Sequence, residues 1–171
     1  MLTPKELAYE LKSRPAPRVA VIGDFCLDKY LYIDEALNET SLETGLTAYQ
    51  VVGAREYPGG AGCVAANLCA LGAKVRCIGA LGDDGDGFTL SRALRSLGAD
   101  VSDMVVSAGR VTNVYTKPMA LREGKAAREM SRIDIRNFEK TPESLSDAML
   151  ERLSRAAGEC DAVMIQDQFL E

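Results

Sequence analysis

The sequence predicts an α/β protein in which helices flank a parallel sheet that carries a small antiparallel β-lid. Three short segments are almost entirely apolar and stop at a Gly-Asp or Gln-Asp pair, and they lie at residues 19–23, 75–81 and 162–165. Buried parallel strands have this composition. Helical stretches alternate with these segments, which indicates a parallel sheet with right-handed crossovers.

Residues that begin and end helices mark the helical stretches. Thr3, Pro4 and Glu6 have the arrangement of a capping box with proline at the first helical position, so a helix is expected to start there. Further helices are expected over residues 61–71, 88–97 and 142–157. Each is followed or closed by a glycine placed as a C-terminal cap, namely Gly72, Gly98 and Gly158.

Two stretches interrupt the alternation of strands and helices. They cover residues 30–57 and 111–135 approximately, and the β-type segments within them lie at 30–33, 47–52, 111–121 and 129–135. No helix is predicted within either stretch, and apolar residues alternate with polar ones or are exposed, which is typical of antiparallel strands with one solvated face. We expect these strands to form the lid at the side of the α/β body.

Composition and charge exclude several classes of protein. A chain of 171 residues with 47% apolar residues is long enough to bury the core of one domain. The net charge of −5 and the pI near 4.9 argue against a nucleic-acid partner, which needs a basic surface. No apolar run approaches the roughly 20 residues of a membrane helix. The first residues also lack the apolar region of a signal peptide.

The five cysteines and the absence of histidine limit the available chemistry. The cysteines form no CxxC pair and no zinc-type spacing, so we expect reduced thiols in a cytoplasmic protein and no metal site. Without histidine, the Ser-His and Cys-His nucleophilic mechanisms are excluded.

Two aspartates follow the first predicted strand, in the segment Gly23-Asp24-Phe25-Cys26-Leu27-Asp28. Ligands bind at the carboxyl edge of open α/β sheets. A carboxylate at this edge can accept hydrogen bonds from two adjacent hydroxyls, as a polyol requires. The alternative is a simple turn with a helix-capping aspartate.

A glycine-rich segment, Pro58-Gly59-Gly60-Ala61-Gly62-Cys63, precedes the helix expected at 61–71. Glycines at a helix start let the backbone approach a ligand and offer free N–H groups. The alternative is a tight, closely packed turn. The spacing Gly60-x-Gly62-x-x-Ala65 also fits a loose dinucleotide-binding pattern, but the glycines follow a lid strand instead of the first buried strand.

An acidic segment at residues 83–87 has some likeness to a calcium-binding loop. Counted from Asp84, the twelfth position holds Arg95 where an EF-hand requires glutamate, so calcium binding is excluded. A solvated loop with Asp86 near the start of the next helix accounts for these residues.

Taken together, the motifs resemble the ribokinase-like (pfkB) carbohydrate kinase family, and particularly its heptose-7-phosphate kinase branch. The resemblance covers nearly everything after the first helix, in order, and is carried by residues 18–24 with Asp28, 41–44, 58–61, 70–73, 82–84 with Gly87, 116–117, 132–134 and 161–167. It implies a ribokinase-like α/β body with a small β-lid that closes over a sugar.

The resemblance also implies roles for individual residues. Asp28 matches the aspartate that binds sugar hydroxyls, and Gly59 and Gly60 match the diglycine whose backbone lies against the sugar. Cys63 stands where the family usually has an asparagine whose amide binds a hydroxyl, and a thiol is a weaker partner. The remaining candidates are Asp24, which would hold hydroxyls, and Lys117 and Arg132, which would either contact a phosphate or carboxylate on the sugar or be exposed lid charges.

By the same resemblance, residues 1–171 are the N-terminal part of one kinase domain. The family's Gly-Ala-Gly-Asp catalytic motif, its anion hole and most of its ATP pocket belong to the C-terminal half, which we expect to be absent from this chain. We therefore expect no catalytic residue here. The intact enzyme would use ATP and Mg²⁺, and this chain alone would bind neither.

Three hypotheses for function follow. The first is a carbohydrate kinase that transfers the γ-phosphate of ATP to a sugar or sugar phosphate, with this chain inactive alone. The second is a non-catalytic sugar-binding or dimerisation module of the same fold. The third and weakest is a dinucleotide-dependent oxidoreductase. The expected partners are the sugar and a second copy of the chain bound through the β-lid, with no nucleic acid or membrane.

Overall fold

The computed structural model describes residues 3–122, 124 and 126–168. A 3₁₀ turn at Glu35–Leu37 interrupts the lid. The helices and strands, in chain order, are α1 (Pro4–Ser13), β1 (Arg18–Gly23), β2 (Phe25–Asp34), β3 (Glu39–Thr40), β4 (Thr47–Ala48), β5 (Val51–Gly60), α2 (Ala61–Ala70), β6 (Lys74–Gly82), α3 (Gly85–Ser96), β7 (Met104–Ser107), β8 (Val114–Leu121), β9 (Arg128–Glu129), β10 (Ile133–Ile135), α4 (Glu143–Glu159) and β11 (Ala162–Gln166).

The predicted parallel sheet is confirmed. Its strand order is β11-β1-β6-β7, and every neighbouring pair is parallel. The three predicted strands are β1, β6 and β11, with Val19 of β1 in register with Val75 on one side and Ala162 on the other. Strand β7 was missed, because its four residues are too few to show a periodic pattern.

Helices cover both faces of this sheet, and the alternation of side chains along β1 shows how. Val19 and Val21 pack in the larger core with residues of α2 and α3, among them Ala65 and Leu90. Ala20 faces the other way and packs in a smaller core against α4. A fully buried leucine such as Leu90 contributes about 1.5–3 kcal/mol to stability through the hydrophobic effect.

The lid is a second sheet with the order β10-β8-β2-β5, and β9 pairs with the outer part of β8. The predicted antiparallel pairing is present in three pairs, β2–β5, β8–β10 and β8–β9. The pair β2–β8 is parallel, which the sequence did not predict. A separate hairpin, β3–β4, lies between β2 and β5 in the chain.

The body passes directly into the lid at Asp24, which is the only residue between β1 and β2. The alternative interpretation of the segment that contains Asp28, a turn with a helix-capping aspartate, is wrong. Asp28 belongs to β2, and the strand residues Phe25 and Leu27 beside it are buried in the core. The backbone that carries Asp28 is therefore held on both sides by strand pairing.

The predicted helix caps are confirmed in three of four cases. Thr3 and Glu6 form the capping box, with the Thr3 N–H 2.8 Å from the Glu6 carboxylate. Gly72 and Gly98 end α2 and α3 with φ near +88°, which favours glycine. Gly158 is not a cap, because α4 continues to Glu159.

Asp84 caps α3, which begins at Gly85 and so three residues earlier than predicted, and Asp86 lies in the first turn of the helix as expected. The Oδ1 of Asp84 accepts from the N–H of Gly87 at 2.7 Å, and its Oδ2 accepts from the N–H of Thr112 at 2.8 Å. Partial burial opposes ionisation of Asp84, but these N–H donors outweigh it and lower its pKa. Through these hydrogen bonds, the Asp84 side chain holds the start of α3 next to the residues that precede β8.

Among the residues that the structure describes, no helix is both long enough and apolar enough to cross a membrane.

An ion pair joins Arg18, the first residue of β1, to Asp161, the residue immediately before β11. The Asp161 carboxylate accepts from the Arg18 backbone N–H at 2.8 Å and from its guanidinium at 2.9 Å. These hydrogen bonds from the side chain and the backbone of Arg18 lower the pKa of Asp161 to about 2.

Replacing Asp161 with asparagine is expected to destabilise the protein at neutral pH, because the amide loses its charge-assisted bonds to Arg18. A carboxylate with a depressed pKa stabilises the fold above its unfolded pKa of about 3.9 and loses that contribution as the pH falls through its folded pKa. Urea midpoints of wild type and Asp161→Asn should therefore differ at neutral pH and converge between about pH 4 and about pH 2.

Glu151→Gln is the matched control, since Glu151 is an exposed carboxylate on α4. It should leave the urea midpoint unchanged at neutral pH. Equal midpoints for Asp161→Asn and wild type at neutral pH would show that the pair does not stabilise the sheet.

Candidate functional site

A cavity of about 160 Å³ lies at the carboxyl ends of the parallel strands, below the lid. Its lining includes Gly23 at the end of β1, Asp24 after it, Asp167 after β11, and two asparagines, Asn113 and Asn137. The sequence predicts a ligand site at this edge of the sheet. The cavity is smaller than the roughly 300–1,000 Å³ of most small-molecule sites, so it suits a compact polar ligand.

Asp28 stands on the lid strand β2, opposite Tyr57 of β5 and Tyr115 of β8. Its Oδ1 accepts a hydrogen bond from Lys117 Nζ at 2.7 Å. Its Oδ2 lies beside Gly59, since a Cβ added at Gly59 would be 2.8 Å from that oxygen. One oxygen of the carboxylate is thus held by a cation, and the other lies against bare backbone.

Lys117 is fixed by more than the carboxylate. Its Nζ also donates to the Tyr30 hydroxyl at 3.2 Å and lies 4.8 Å from the centre of the Tyr30 ring. Tyr30 packs edge-on against Tyr57 with the ring centres 5.9 Å apart. Partial burial lowers the pKa of Lys117, but the hydrogen bonds to Asp28 and Tyr30 outweigh it and raise the pKa above its ordinary value. Lys117 is therefore a permanent cation at neutral pH.

Gly59 and Gly60 are required by close approaches of the backbone. A Cβ at Gly59 would be 2.6 Å from the Cys26 sulfur as well as close to Asp28. Gly60 has φ of +57° and ψ of −126°, and a Cβ there would collide with the carbonyl oxygen of Asp24. Side chains are excluded from both positions, because atoms of Cys26, Asp28 and Asp24 already occupy the space that a Cβ would need.

Asp24 joins three segments at the base of the lid. Its carbonyl accepts from the N–H of Ala61, the first residue of α2, at 2.8 Å. Its carboxylate accepts from the N–H of Gln168 at 2.6 Å, and its own N–H donates to the Gln166 carbonyl at 3.0 Å. These contacts give Asp24 a clear structural role, and its predicted role in holding hydroxyls stays a prediction.

The two cysteines near this point differ in their environments. Cys26 is buried beneath Gly59, and burial raises the pKa of its thiol to about 12. Cys63 is exposed on the first turn of α2, where the Asn67 amide donates to its carbonyl at 2.9 Å. Cys26 therefore stays protonated and fills space, while Cys63 faces solvent at the position where the resemblance expects an asparagine.

Arg132 lies between β9 and β10 on the lid. Its guanidinium pairs with Asp134 at 2.7 Å and lies 4.8 Å above the Tyr115 ring. Asp134, Tyr115 and Asp28 form one row across three adjacent strands. Because adjacent strands are about 4.8 Å apart, Arg132 lies on the same sheet as Asp28 but roughly two strands away.

Of the predicted binding residues, Asp28, Gly59 and Lys117 form one contiguous cluster. Gly60 and Asp24 hold the junction beneath it, and Cys63 and Arg132 lie at its periphery. Asn113 and Asn137 were missed. The signal for Asn113 was its place as a polar residue near the start of the β-type segment at 111–121.

The fold contradicts the hypothesis of a dinucleotide-binding site at Gly60-x-Gly62-x-x-Ala65. Rossmann glycines follow a strand of the parallel sheet. Here they follow β5, which pairs with β2 in the lid. Within the described part of the chain, no group of three or more Cys, Asp or Glu side chains is arranged to hold a metal ion.

Two solved structures share this fold. A carbohydrate kinase from Agrobacterium tumefaciens superimposes with a TM-score of 0.62 and 21% identity, over 87% of this chain and 45% of that protein. Ribokinase from Arabidopsis thaliana, solved with ribose and ATP, superimposes with a TM-score of 0.51 and 20% identity, over 71% of this chain and 36% of that protein. At these identities the likeness establishes the fold.

Relatives in sequence are the bifunctional proteins HldE. Those of Sulfurimonas denitrificans and Desulfatibacillum aliphaticivorans are both 31% identical over 88% of this chain. The chain spans about 30% of the length of these relatives. The model of the pfkB family carbohydrate kinases matches residues 16–157. That match covers most of the chain, which therefore belongs to the pfkB family of carbohydrate kinases.

Proposed function

We propose that this chain is the sugar-binding and lid half of a kinase that transfers the γ-phosphate of ATP to a hydroxyl of a sugar or sugar phosphate. The observation that carries the proposal is the Asp28 carboxylate. One of its oxygens is bound by Lys117, the other lies beside the backbone of Gly59, and the side chain stays partly exposed.

This arrangement suits the recognition of hydroxyls. Sugar hydroxyls donate to Asp28 Oδ2, and hydrogen bonds to a charged group contribute about 1.5–3 kcal/mol. Lys117 holds the carboxylate in one orientation, so little conformational entropy is lost when a sugar binds. The Asp28 side chain is 26% exposed, so a sugar can reach the carboxylate from solvent.

We infer that the described residues hold neither ATP nor Mg²⁺. The first N–H of α2 already donates to Asp24, and no described cluster of acidic side chains is arranged for a cation. Phosphoryl transfer requires positioned phosphates, a cation and a base for the hydroxyl. We therefore assign sugar binding to these residues and derive no step of the transfer from them.

Asp28→Asn should weaken sugar binding by at least about tenfold, because the amide keeps the shape but loses the charge that strengthens its bonds to hydroxyls. Isothermal titration calorimetry measures this with ribose, fructose, mannose 6-phosphate and sedoheptulose 7-phosphate.

Asp86→Asn is the matched control. Lys29 pairs with Asp86 at 2.7 Å, the same length as the Lys117–Asp28 pair and with similar partial burial. Since Lys29 follows Asp28 on β2, its side chain lies on the opposite face of the lid. The control should keep wild-type affinity, and equal affinities for Asp28→Asn and wild type would refute the sugar-binding role.

The 171-residue chain alone should show no sugar-dependent ATP turnover. Electrostatic stabilisation of the transferring phosphoryl group supplies most of the rate in kinases, and the described residues offer no group suited to it. A coupled assay with ATP, Mg²⁺ and the same four sugars tests this, with heat-denatured protein as the control. Turnover clearly above that control after rigorous purification would contradict the proposal.

We also propose that two copies associate through the lid. Strand β5 is a ten-residue edge of the lid sheet, and its Val51, Val52 and Tyr57 are about half exposed. Leu42 and Leu46, in the loop of the β3–β4 hairpin, are exposed as well. A long apolar edge of this kind favours pairing with another strand. This surface also supports the second hypothesis, a binding and dimerisation module.

Sedimentation velocity should therefore find a dimer that Val52→Lys converts to monomer, since a lysine on an edge strand opposes pairing. Val106→Lys is the control, because Val106 is also an exposed valine on an edge strand, β7 of the other sheet. A wild type that stays monomeric at high concentration would count against association through the lid.

A further inference from the structure

Asn113 is a buried polar residue on the wall of the cavity, with only 8% of its surface exposed. Its side-chain oxygen accepts two hydrogen bonds from Asn137, one from the backbone N–H and one from Nδ2, both 3.1 Å long. A backbone N–H can only donate, so the atom that it contacts must be Oδ1 of Asn113. The orientation of the Asn113 amide is thereby fixed.

Asn137 is itself held in place. Its Nδ2 donates to the carbonyl of Val111 at 2.8 Å, and its Oδ1 accepts from the N–H of Val111 at 3.1 Å. With both ends of the Asn137 amide bound to the backbone, the Asn113 oxygen has a rigid partner. Rotation of the Asn113 amide would place its NH₂ group against two donors, which is unfavourable.

The Nδ2 of Asn113 therefore carries two N–H donors directed away from Asn137. Among the residues that the structure describes, none accepts a hydrogen bond from it, yet this nitrogen is not sealed inside the protein. Buried donors in folded proteins are almost always satisfied by protein, water or a ligand. Because Asn113 lines the cavity, the partner of these donors belongs in the cavity.

The position of Asn113 relates it to Asp28. The Asn113 carbonyl accepts from the N–H of Leu27 at 2.9 Å, so residue 113 continues the pairing of β8 with β2. Strand alternation puts Asn113 on the face that carries Tyr115 and Lys117, and Tyr115 lies opposite Asp28. Residues two apart on a strand are separated by about 7 Å, which is comparable to the width of a sugar.

We infer that Asn113 is a sugar-binding residue whose Nδ2 donates to a hydroxyl or ring oxygen of the sugar that Asp28 accepts from. This inference rests on the proposed function. A hydroxyl both donates and accepts, so a site needs both kinds of group to orient a polyol. Asp28 supplies the acceptor and Asn113 the donor, on one face of the lid, and together they select the stereochemistry of the sugar.

Asn113→Asp tests the inference, because the carboxylate keeps an oxygen for Asn137 while the NH₂ donor is lost. Calorimetry with ribose, fructose, mannose 6-phosphate and sedoheptulose 7-phosphate should show at least about a tenfold loss of affinity for the sugars that wild type binds. In wild type, the side-chain NH₂ resonances of Asn113, assigned through bonds from its own backbone resonances, should shift when sugar is added.

Asn38→Asp is the matched control. The Oδ1 of Asn38 likewise accepts from a backbone N–H, that of Gln50 at 3.2 Å, and the substitution adds the same charge to the lid region. It should retain wild-type affinity. A shift of the Asn113 resonances also separates direct contact from a general effect of added charge.

The outcomes distinguish the inference from the proposed function. If Asp28→Asn loses affinity while Asn113→Asp keeps it and the Asn113 resonances stay in place, the inference is overturned and the proposed function stands. If wild type binds none of the four sugars, both are overturned. If Asn113→Asp does not fold, as judged by its thermal transition, the resonances of wild type decide alone.

Discussion

The hydrogen bond from the N–H of Ala61 to the carbonyl of Asp24 is the contact on which the arrangement of the whole molecule depends. Asp24 is where the chain leaves the body for the lid, and Gly60 is where it returns from β5 to α2. This bond holds the two crossings, the point where the chain enters the lid and the point where it returns to the body, next to each other. The positive φ of Gly60 turns the chain sharply enough for the bond to form, and no L-residue adopts that conformation without strain.

Because the two crossings are fixed together, the lid cannot slide along the edge of the sheet. The contacts from Asp24 to Gln166 and Gln168 extend this restraint to the end of β11. The cavity therefore has one wall from the body and one from the lid, and their relative position is set by backbone hydrogen bonds. Side chains at the site can then be selected for the ligand instead of for holding the lid.

Much of the fold can be predicted from the sequence because it depends on local patterns. Apolar strands, capping residues such as Thr3 and Gly72, and the glycines at 59–60 each carry their own signal. Gly158 shows the limit of this reasoning. A glycine near the end of a helix resembles a cap, but α4 packs Ala156 against the sheet and continues past Gly158 to Glu159.

The site is less predictable because it depends on strand pairing between distant segments. Lys117 and Asp28 are 89 residues apart, and they meet only because β8 runs parallel to β2 in one particular register. A shift by one residue would turn Lys117 to the opposite face. The amide pair Asn113–Asn137 spans 24 residues and has no motif at all. Residue types thus identified candidates, and only the register shows which candidates meet.

Strand alternation also explains how one short segment of β2 serves both the ligand site and the stability of the fold. Asp28 projects to the face that carries Lys117 and the tyrosines, while Lys29 projects to the other face and binds Asp86 of α3. The hydrogen bond to Asp86 is the main cause of the raised pKa of Lys29, so this cation stays bound to the body at neutral pH. The pair Lys29–Asp86 joins the lid to the body, and Asp28, on the other face, takes no part in that contact. The two roles are separable because consecutive residues of a strand never share a face.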